Sequence, residues 1–366
     1  MERTEYMQRA LELAVKGKGF TNPNPLVGCV LVKEGRIIGE GYHEYYGGAH
    51  AEVNALNRAL EDVRGAELYV NLEPCSHYGK TPPCALKIIE KGIRKVYVAM
   101  EDPNPKVAGR GIALLREAGI EVELGLLQKE ARHLNEIFCK YITTAQPFVT
   151  LKTALSLDGK IGLRGRKRVQ LTGREANLEA HRLRHNHSAI MVGIGTVLED
   201  DPLLTARIEG EKLSQPVRVI VDSRLRIPLE ARVLEDISNS PVVIACTENS
   251  PPAKRTLLQE RGIELLLLPE KEGSVDLKAL LTRLGAMGID SVLLEGGGRL
   301  NFGALSAGIV DKLIFFITPL LLGGETAPTP LDGNGFRTIE KIVELKEMSV
   351  ENRGRDLMIT AYPQVR

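Results

Sequence analysis

The sequence contains no tryptophan, and only 4% of its 366 residues are aromatic. It therefore offers little from which to build an aromatic-lined groove for a flipped-out or single-stranded base. The 48 lysines and arginines nearly balance the 47 aspartates and glutamates, so the formal net charge is only +1. A balanced charge argues against a nucleic acid or an anionic membrane as the main partner.

Long hydrophobic runs are also missing. The longest, residues 313–322, is interrupted by Thr318 and Pro319 and is far shorter than the roughly 20 residues of a membrane-spanning helix. In the first residues, apolar side chains recur at helical spacing among glutamates, unlike the core of a signal peptide. The five cysteines, an odd number, do not suggest a secreted disulfide framework. These features predict a soluble, cytoplasmic protein.

The length suggests two domains, since a domain commonly holds roughly 100–200 residues. In residues 27–145 strand-like and helix-like segments alternate, and residues 126–144 predict one closing helix. The same alternation begins again at Phe148, so both halves are predicted to be α/β domains around partly parallel sheets. The predicted boundary precedes Pro147, because the residue before a proline is disfavoured in a helix. The expected domains are residues 1–145 and 146–366.

Three potential metal ligands lie within residues 50–84: the imidazole of His50 and the thiols of Cys75 and Cys84. Each has a structural explanation on its own, because His-Ala-Glu is common and the cysteines could be buried thiols or half of a zinc ribbon. Together, they leave the fourth position of a tetrahedral Zn²⁺ open, as in a catalytic site. Cys75 is expected to follow a strand, whereas His50 and Cys84 are expected at helix N-termini, which favour thiolates.

Glu52 follows His50 by two positions, close enough to the expected ion to move a proton without binding it. The pattern H-x-E…P-C…C is typical of zinc deaminases of nucleobases, in which the metal activates water and the glutamate is the general acid and base. We therefore predict hydrolytic deamination with Glu52 as the catalytic residue. His77, between the two cysteines, is predicted to belong to a substrate loop.

Several longer motifs resemble one enzyme family. In PCSHYGKTPPC (residues 74–84) eight residues separate the cysteines, whereas most cytidine and tRNA-adenosine deaminases have two there. With NPNPLVG (22–28) and DPNPKVAGRG (102–111), this segment closely resembles the bifunctional riboflavin-biosynthesis deaminase-reductases. KTALSLDGK (152–160), GIGTVLEDDP (193–202) and EGGGRL (295–300) look like the reductase signatures of the same family. The resemblance covers nearly the whole chain.

The resemblance implies a fold and a reaction for each half. The first domain would have the three-layer α/β/α fold of cytidine deaminases. It would convert 2,5-diamino-6-(5-phosphoribosylamino)pyrimidin-4-one to 5-amino-6-(5-phosphoribosylamino)uracil. The second would be an α/β domain similar to dihydrofolate reductase, and would use NADPH to reduce the ribosyl group to ribityl. One Zn²⁺ per chain, NADPH, a small phosphorylated pyrimidine and a second copy of the chain in a homo-oligomer are the implied partners.

The expected cofactor turn is the glycine-rich segment between a strand ending at Glu295 and a helix near Asn301. Such a turn brings backbone N–H groups and a helix N-terminus to a pyrophosphate. The full dinucleotide fingerprint is absent, since Leu198 and Asn301 occupy the third-glycine positions. The NADPH assignment therefore follows mainly from the resemblance, which places these residues at the cofactor: Ala154, Gln170, Thr196, Asp200, Ser223, Gly297, Gly298, Arg299, Leu300, Asn301, Phe302 and Gly303.

The resemblance also assigns residues to substrate binding: Arg168, Arg184, Leu204, Arg207 and Glu295. The guanidinium groups of Arg184 and Arg207 would suit the ribose phosphate, because each can form two parallel charge-assisted hydrogen bonds. Without the resemblance, solvated surface arginines would be equally expected. Lys152 or Asp200 is expected to polarise the opened sugar.

One segment departs from the family pattern. Relatives often have Ser-x-Trp-Ile-Thr where this chain has Arg168-Val169-Gln170-Leu171-Thr172, so Arg168 and Gln170 are the assignments that this departure touches most. Arg168 also closes a local basic cluster with three neighbours, Arg164, Arg166 and Lys167. A small anionic ligand could use that cluster.

Three alternative interpretations remain open at this point. A tRNA-editing deaminase would share the zinc chemistry, but the charge, the few aromatic residues and the cysteine spacing disfavour it. A second domain that has lost catalysis and only binds or oligomerises is left open by the departure at residues 168–172. A reductase with a merely structural metal would keep NADPH oxidation after His50 or Glu52 is replaced.

Overall fold

The computed structural model describes residues 2–76, 78, 82–105, 107–163 and 169–364. The chain divides into two compact units, Met1–Ala145 and Gln146–Arg366. Within the described ranges, no helix combines the length and apolar character needed to cross a bilayer. His77 and the basic cluster at residues 164–168 lie outside the described residues.

The first unit alternates helices and strands along the chain. Its helices are α1 (Arg3–Val15), α2 (Ala51–Asn57), α3 (Cys84–Glu90), α4 (Arg110–Glu117), α5 (Gln128–Leu134) and α6 (Glu136–Thr144). Its strands are β1 (Gly28–Lys33), β2 (Arg36–Tyr42), β3 (Glu67–Val70), β4 (Lys95–Val98) and β5 (Glu121–Leu124).

The five strands form one sheet in the order β2-β1-β3-β4-β5. Strand β1 is antiparallel to β2 and β3, and β3, β4 and β5 are parallel. One face packs against α2, α3 and α4 through side chains such as Ile88 and Leu115. The other face packs against α1, α5 and α6 through Met7 and Phe138. Since both faces are covered, the central strands are apolar throughout. The expected three-layer α/β/α fold is confirmed.

The closing helix predicted over residues 126–144 is wrong, because the structure has two helices there. Helix α5 ends at Leu134 and α6 begins at Glu136. Between them, the buried side chain of Asn135 accepts a hydrogen bond from the Leu26 N–H (2.8 Å) and donates one to the Leu26 carbonyl (3.0 Å). These hydrogen bonds to a distant segment separate α5 from α6 at Asn135. Helical periodicity in the sequence does not predict such a contact.

The second unit has five helices and eleven strands among its described residues. The helices are α7 (Arg174–Asn186), α8 (Ile194–Asp200), α9 (Pro252–Glu260), α10 (Leu277–Ala286) and α11 (Gly298–Ser306). The strands are β6 (Phe148–Ser156), β7 (Ala189–Gly193), β8 (Val217–Val221), β9 (Val242–Cys246), β10 (Glu264–Leu267), β11 (Glu270–Lys271), β12 (Ser274–Val275), β13 (Ser291–Leu294), β14 (Lys312–Thr318), β15 (Leu345–Arg353) and β16 (Asp356–Pro363).

Nine of these strands form one sheet in the order β10-β9-β8-β7-β13-β6-β14-β16-β15. All neighbours are parallel as far as β14, and β16 and β15 extend the sheet antiparallel. Helices α10 and α11 cover one face through Leu281 and Ala304. Helices α8 and α9 contribute Val197 and Leu258 to a second core, and α7 contributes Leu183 to a third. The expected α/β class of this half is confirmed.

The order of the strands positions the site. Strand β13 lies between β6 and β7 and is parallel to both, although it comes much later in the chain. The carboxyl ends of β8, β7, β13 and β6 therefore meet along one edge of the sheet. In open parallel sheets, ligands bind outside this edge, near a change in strand order.

Candidate active sites

Three donor atoms meet in the first unit. His50 immediately precedes α2 and Cys84 is the first residue of α3, as predicted. His50 Nδ1 lies 3.6 Å from Cys75 Sγ and 3.2 Å from Cys84 Sγ. All three ligand atoms lie within 4.8 Å of one another. In a tetrahedral site with bonds of about 2.0 Å to nitrogen and 2.3 Å to sulfur, the nitrogen and a sulfur lie roughly 3.5 Å apart. The residues fit a zinc ion.

The surroundings of Cys75 favour its thiolate. The Cys84 thiol and the His50 imidazole hydrogen-bond to Cys75 Sγ, and they lower the pKa of Cys75 to about 4 although burial opposes this. The backbone N–H of Cys84 also donates to Cys75 Sγ, at 3.2 Å. The interaction with Cys75, together with burial, raises the pKa of Cys84. The surroundings therefore favour a thiolate at Cys75, which is the form that binds a metal ion.

Glu52 lies in the first turn of α2, and only 3% of its surface is exposed. Burial raises the pKa of its carboxyl, against the opposing effect of His50. The same carboxyl interacts with the Cys84 thiol. A buried carboxyl group beside the donor cluster, with a raised pKa, suits a residue that must both accept and donate a proton.

Two further polar residues beside the cluster escaped the sequence analysis. The buried ring of His43 lies 5.8 Å from the ring of His50. Its Nδ1 donates to the Ala49 carbonyl (3.0 Å), so Nε2 is left to accept from the side-chain amide of Asn24 (3.1 Å). Burial lowers the pKa of His43, which keeps the ring neutral. Asn24 belongs to the NPNPLVG motif and could have been noticed, whereas His43 had no local signal.

The predicted cofactor residues of the second unit come from several strands but share one edge of the sheet. Ala154 belongs to β6, Thr196 and Asp200 to α8 directly after β7, Ser223 follows β8, and Gly297 precedes α11 after β13. A Cβ atom on Gly297 would lie 3.7 Å from Thr196 Oγ1, so these two segments are in contact. The fold therefore assembles these five positions around the carboxyl edge.

The glycine turn is packed against a later segment of the chain. A Cβ atom on Gly298 would lie 2.4 Å from the Thr329 carbonyl oxygen and 2.6 Å from Asp332 Oδ2. The Asn301 side chain, also fully buried, donates to the Pro330 carbonyl at 3.0 Å. Residues 329–332 thus cover the N-terminus of α11, so the chain itself requires glycine at position 298.

The remaining cofactor positions differ in their surroundings. Phe302 packs against Phe336, with ring centroids 5.1 Å apart. Arg299 and Gln170 are exposed, and Gln170 Nε2 donates to the Thr172 carbonyl at 3.4 Å. Leu300 and Gly303 are partly buried on α11. Their assignment to NADPH stays a prediction.

Two predicted substrate residues meet in a buried ion pair. Arg184 donates from Nε and Nη2 to the two carboxylate oxygens of Glu295, at 2.9 and 2.8 Å. Lys152 Nζ lies 3.8 Å from the same carboxylate. Burial raises the pKa of Glu295, but Arg184 and Lys152 outweigh it and bring the pKa to about 2. The two parallel hydrogen bonds that Arg184 was expected to donate to a phosphate go to Glu295 instead. The expectation that Arg184 binds the phosphate through such a pair is therefore wrong.

The other substrate positions lie beside this pair. Arg207 is exposed and its guanidinium hydrogen-bonds to Thr205, whose carbonyl also accepts from Arg184 Nη1 at 3.2 Å. Leu204 is buried with a φ of +57°, an uncommon conformation for a leucine. Arg168 lies outside the described residues. Of the two arginines expected to bind phosphate, Arg207 is the one whose side chain faces solvent.

Comparison with known proteins follows the same division of the chain. Residues 1–100 match the cytidine and deoxycytidylate deaminase zinc-binding region, and residues 147–359 match the RibD C-terminal domain. The riboflavin biosynthesis protein RibD of Actinobacillus pleuropneumoniae is 47% identical over 359 residues, covering 98% of this chain and 95% of that protein. For RibD of Aquifex aeolicus the identity is 45%, over 97% of this chain and 96% of the relative.

Solved structures agree over the full length. RibD of Acinetobacter baumannii superposes with a TM-score of 0.89 at 38% identity, covering 99% of each chain. The diaminohydroxyphosphoribosylaminopyrimidine deaminase/5-amino-6-(5-phosphoribosylamino)uracil reductase of Thermotoga maritima has a TM-score of 0.84 at 37% identity, over 99% of this chain and 98% of that one.

A His/Cys/Cys group that could hold a metal ion lies in the unit that matches the deaminase family, and the other unit matches the reductase family, so the chain is a bifunctional enzyme, a deaminase joined to a reductase. The matches extend through both units, so a tRNA-editing deaminase does not account for the chain. It belongs to the RibD family of riboflavin biosynthesis proteins. The family resemblance drawn from the motifs is confirmed.

Proposed function

We propose that the first unit deaminates 2,5-diamino-6-(5-phosphoribosylamino)pyrimidin-4-one, with His50, Cys75 and Cys84 as zinc ligands. The observation that carries this proposal is the set of three donor atoms within 4.8 Å of one another beside buried Glu52. When bound, Zn²⁺ supplies the Lewis acid that makes water a nucleophile near neutral pH. Glu52 accepts a proton from the attacking water and passes it to the amine that leaves as ammonia. The organic product is 5-amino-6-(5-phosphoribosylamino)uracil.

The second unit reduces the ribosyl group of that product to ribityl. NADPH, the source of the hydride, would bind along the carboxyl edge of β7 and β13, held by the residues that the family resemblance assigns. Lys152, in the middle of β6, is the preferred proton donor to the sugar oxygen released when the ring opens, because burial lowers the pKa of its ammonium group, which lies 3.8 Å from the Glu295 carboxylate. Asp200, the other candidate, is the last residue of α8, which follows β7.

A coupled assay tests the two steps separately. Purified, zinc-loaded protein is given the diamino substrate, and ammonia release and NADPH oxidation are recorded independently. We expect ammonia first and NADPH loss second, with Glu52→Gln lowering ammonia release by roughly 10²–10⁴-fold. Deaminated substrate should restore NADPH oxidation in that variant. Ammonia release without NADPH oxidation, even from deaminated substrate, would refute the reductase assignment.

The protein is further proposed to act in the cytoplasm as a homo-oligomer. Its five cysteines are free, and zinc-binding thiolates suit a reducing compartment. Met348 and Val350, 66% and 55% exposed, lie on the edge strand β15, where a second chain could cover them. Sedimentation velocity at micromolar concentration tests self-association, and a single monomeric species would refute it.

A further inference from the structure

Glu73 lies two residues before Cys75, and only 3% of its surface is exposed. Its carboxylate is bonded to the backbone of a distant loop. Oε2 accepts hydrogen bonds from the N–H groups of Asp102 (3.1 Å) and Gly109 (2.9 Å). These two residues stand at the two ends of the DPNPKVAG segment, so one oxygen atom fixes both ends of that loop.

The other carboxylate oxygen of Glu73 caps a helix. Oε1 accepts from the backbone N–H groups of Gly111 (2.8 Å) and Ile112 (3.3 Å), in the first turn of α4. The first N–H groups of a helix have no partner within the helix, and its N-terminus favours a negative charge. Glu73 thus satisfies four backbone donors at once, which a neutral side chain of the same shape cannot do.

The same region bears directly on the segment that carries Cys75. A Cβ atom on Gly111 would lie 2.0 Å from the carbonyl oxygen of Pro74, so α4 closely approaches the residue between Glu73 and Cys75. On the other side, the N–H of Ala85 donates to the Cys75 carbonyl at 3.2 Å. Cys75 is therefore held between α3, which begins with the second thiol ligand, and the buried anchor formed by Glu73.

We propose that Glu73 is a positioning residue of the zinc centre, which fixes the Pro74–Cys75 backbone by binding the N-terminus of α4 and the ends of the 102–109 loop. This inference rests on the zinc site of the proposed function. A thiolate contributes to affinity only if its sulfur is held near the tetrahedral position, and replacing residues that orient ligands typically weakens metal binding about 10–100-fold. Glu73 itself is neither a ligand nor a catalytic residue.

The test is zinc affinity, measured by competition with a chromogenic chelator on the full-length Glu73→Gln variant. Glutamine keeps the shape, but its NH₂ group would face two backbone N–H donors. We expect zinc affinity to fall about 10–100-fold. Deaminase kcat/KM should fall at limiting zinc and recover with excess zinc. NADPH oxidation with deaminated substrate should not change.

Glu40→Gln is the matched control, because Glu40 is a partly buried carboxylate of the same unit whose oxygens accept from Arg9 Nε (2.7 Å) and Nη2 (2.9 Å). It should lower thermal stability without weakening zinc binding. If Glu73→Gln binds zinc as tightly as Glu40→Gln, the role of Glu73 is only structural and the inference is overturned. If wild-type protein binds no zinc, the proposed function itself fails.

A second variant covers the case in which Glu73→Gln does not fold. Gly111→Ala keeps the Glu73 carboxylate but pushes on the Pro74 carbonyl, so it should displace Cys75 and weaken zinc binding in the same way. Unchanged zinc affinity in a folded Gly111→Ala protein would overturn the link between α4 and the zinc ligand.

Discussion

Glu295 combines two opposing electrostatic effects at one buried position. Only 11% of its side chain is exposed, and burial alone would raise the pKa of its carboxyl. The adjacent cations Arg184 and Lys152 outweigh that effect and bring the pKa to about 2. Burial in turn lowers the pKa of Lys152. The Glu295 carboxylate therefore stays ionised throughout the physiological pH range. Its negative charge compensates the buried positive charges of Arg184 and Lys152.

The lowered pKa of Glu295 predicts a pH-dependent stability. Its pKa is near 4.3 in an unfolded chain and about 2 when folded, so below pH 4.3 the unfolded state binds more protons. The stabilisation, on the order of 3 kcal/mol, is complete above pH 4.3 and is lost as the pH falls towards 2. We expect Glu295→Gln to be less stable than wild type at pH 7, with the difference shrinking as the pH is lowered.

The stability difference between wild type and Glu295→Gln is measured by urea unfolding at several pH values from 7 to 3. Hydrogen exchange in β13 provides a second measurement. The exposed Glu260 of α9 provides a control, since Glu260→Gln should leave the pH profile of the wild type intact. A stability difference between wild type and Glu295→Gln that does not change with pH would contradict the expected role of the ion pair.

Local motifs identified the residues that could hold zinc, but not the buried polar residues around them. His50, Glu52 and the two cysteines were predictable because their chemistry shows in short spacings along the chain. His43 and Glu73 were not, because each acquires its role from partners that only the folded chain supplies: Asn24 for His43, and the α4 N-terminus for Glu73. Nothing in the sequence around Glu73 indicates that four backbone N–H groups donate to its carboxylate.

Helix α11 begins shortly after β13 ends, so its N-terminus lies at the carboxyl edge of the sheet. The segment 329–332 closes over this helix end, and the Asp332 carboxylate is hydrogen-bonded to the backbone and the hydroxyl of Thr329. Only a residue without a side chain can occupy position 298 beneath it. The shape of the proposed cofactor site therefore depends on a contact between two segments about thirty residues apart.

Gly298→Ala should disturb this contact and, with it, the reductase. The added methyl group would meet the Thr329 backbone oxygen at 2.4 Å, so residues 329–332 must shift. We expect a stability loss of about 1–3 kcal/mol and at least a tenfold increase in KM for NADPH. Ammonia release from the diamino substrate should not change. Gly195→Ala in α8, where the structure leaves open space, is the control for stability. Wild-type stability and KM in Gly298→Ala would contradict this account.

Elements with strong periodicity were predictable, and those defined by distant pairing were not. The buried parallel strands, such as β9 and β13, are continuous apolar runs and were found. Strand β15 was missed, because eight of its nine residues are exposed and its sequence has no apolar alternation. It is a strand only because β16 pairs with it. The break at Asn135 was missed for a similar reason, since its partner Leu26 is remote in the sequence.

At the scale of the whole molecule, each unit has its own sheet and its own hydrophobic cores. The first unit buries two clusters on the two faces of its five-stranded sheet, and the second buries three around its nine-stranded sheet. The three residues proposed as metal ligands all belong to the first unit, whereas the carboxyl edge expected to bind NADPH belongs to the second. Each unit is large enough to fold around a core of its own.

Separate cores and separate sites predict that removing the metal affects one reaction only. Dialysis of the full-length protein against a strong chelator should abolish ammonia release, because Cys75, Cys84 and His50 would then hold no ion to activate water. NADPH oxidation with deaminated substrate should continue at the same rate, and added zinc should restore ammonia release. Parallel loss of both activities in the chelated protein would mean that the reductase depends on the metal centre of the other unit. That result would show energetic coupling between sites that the fold builds from different sheets.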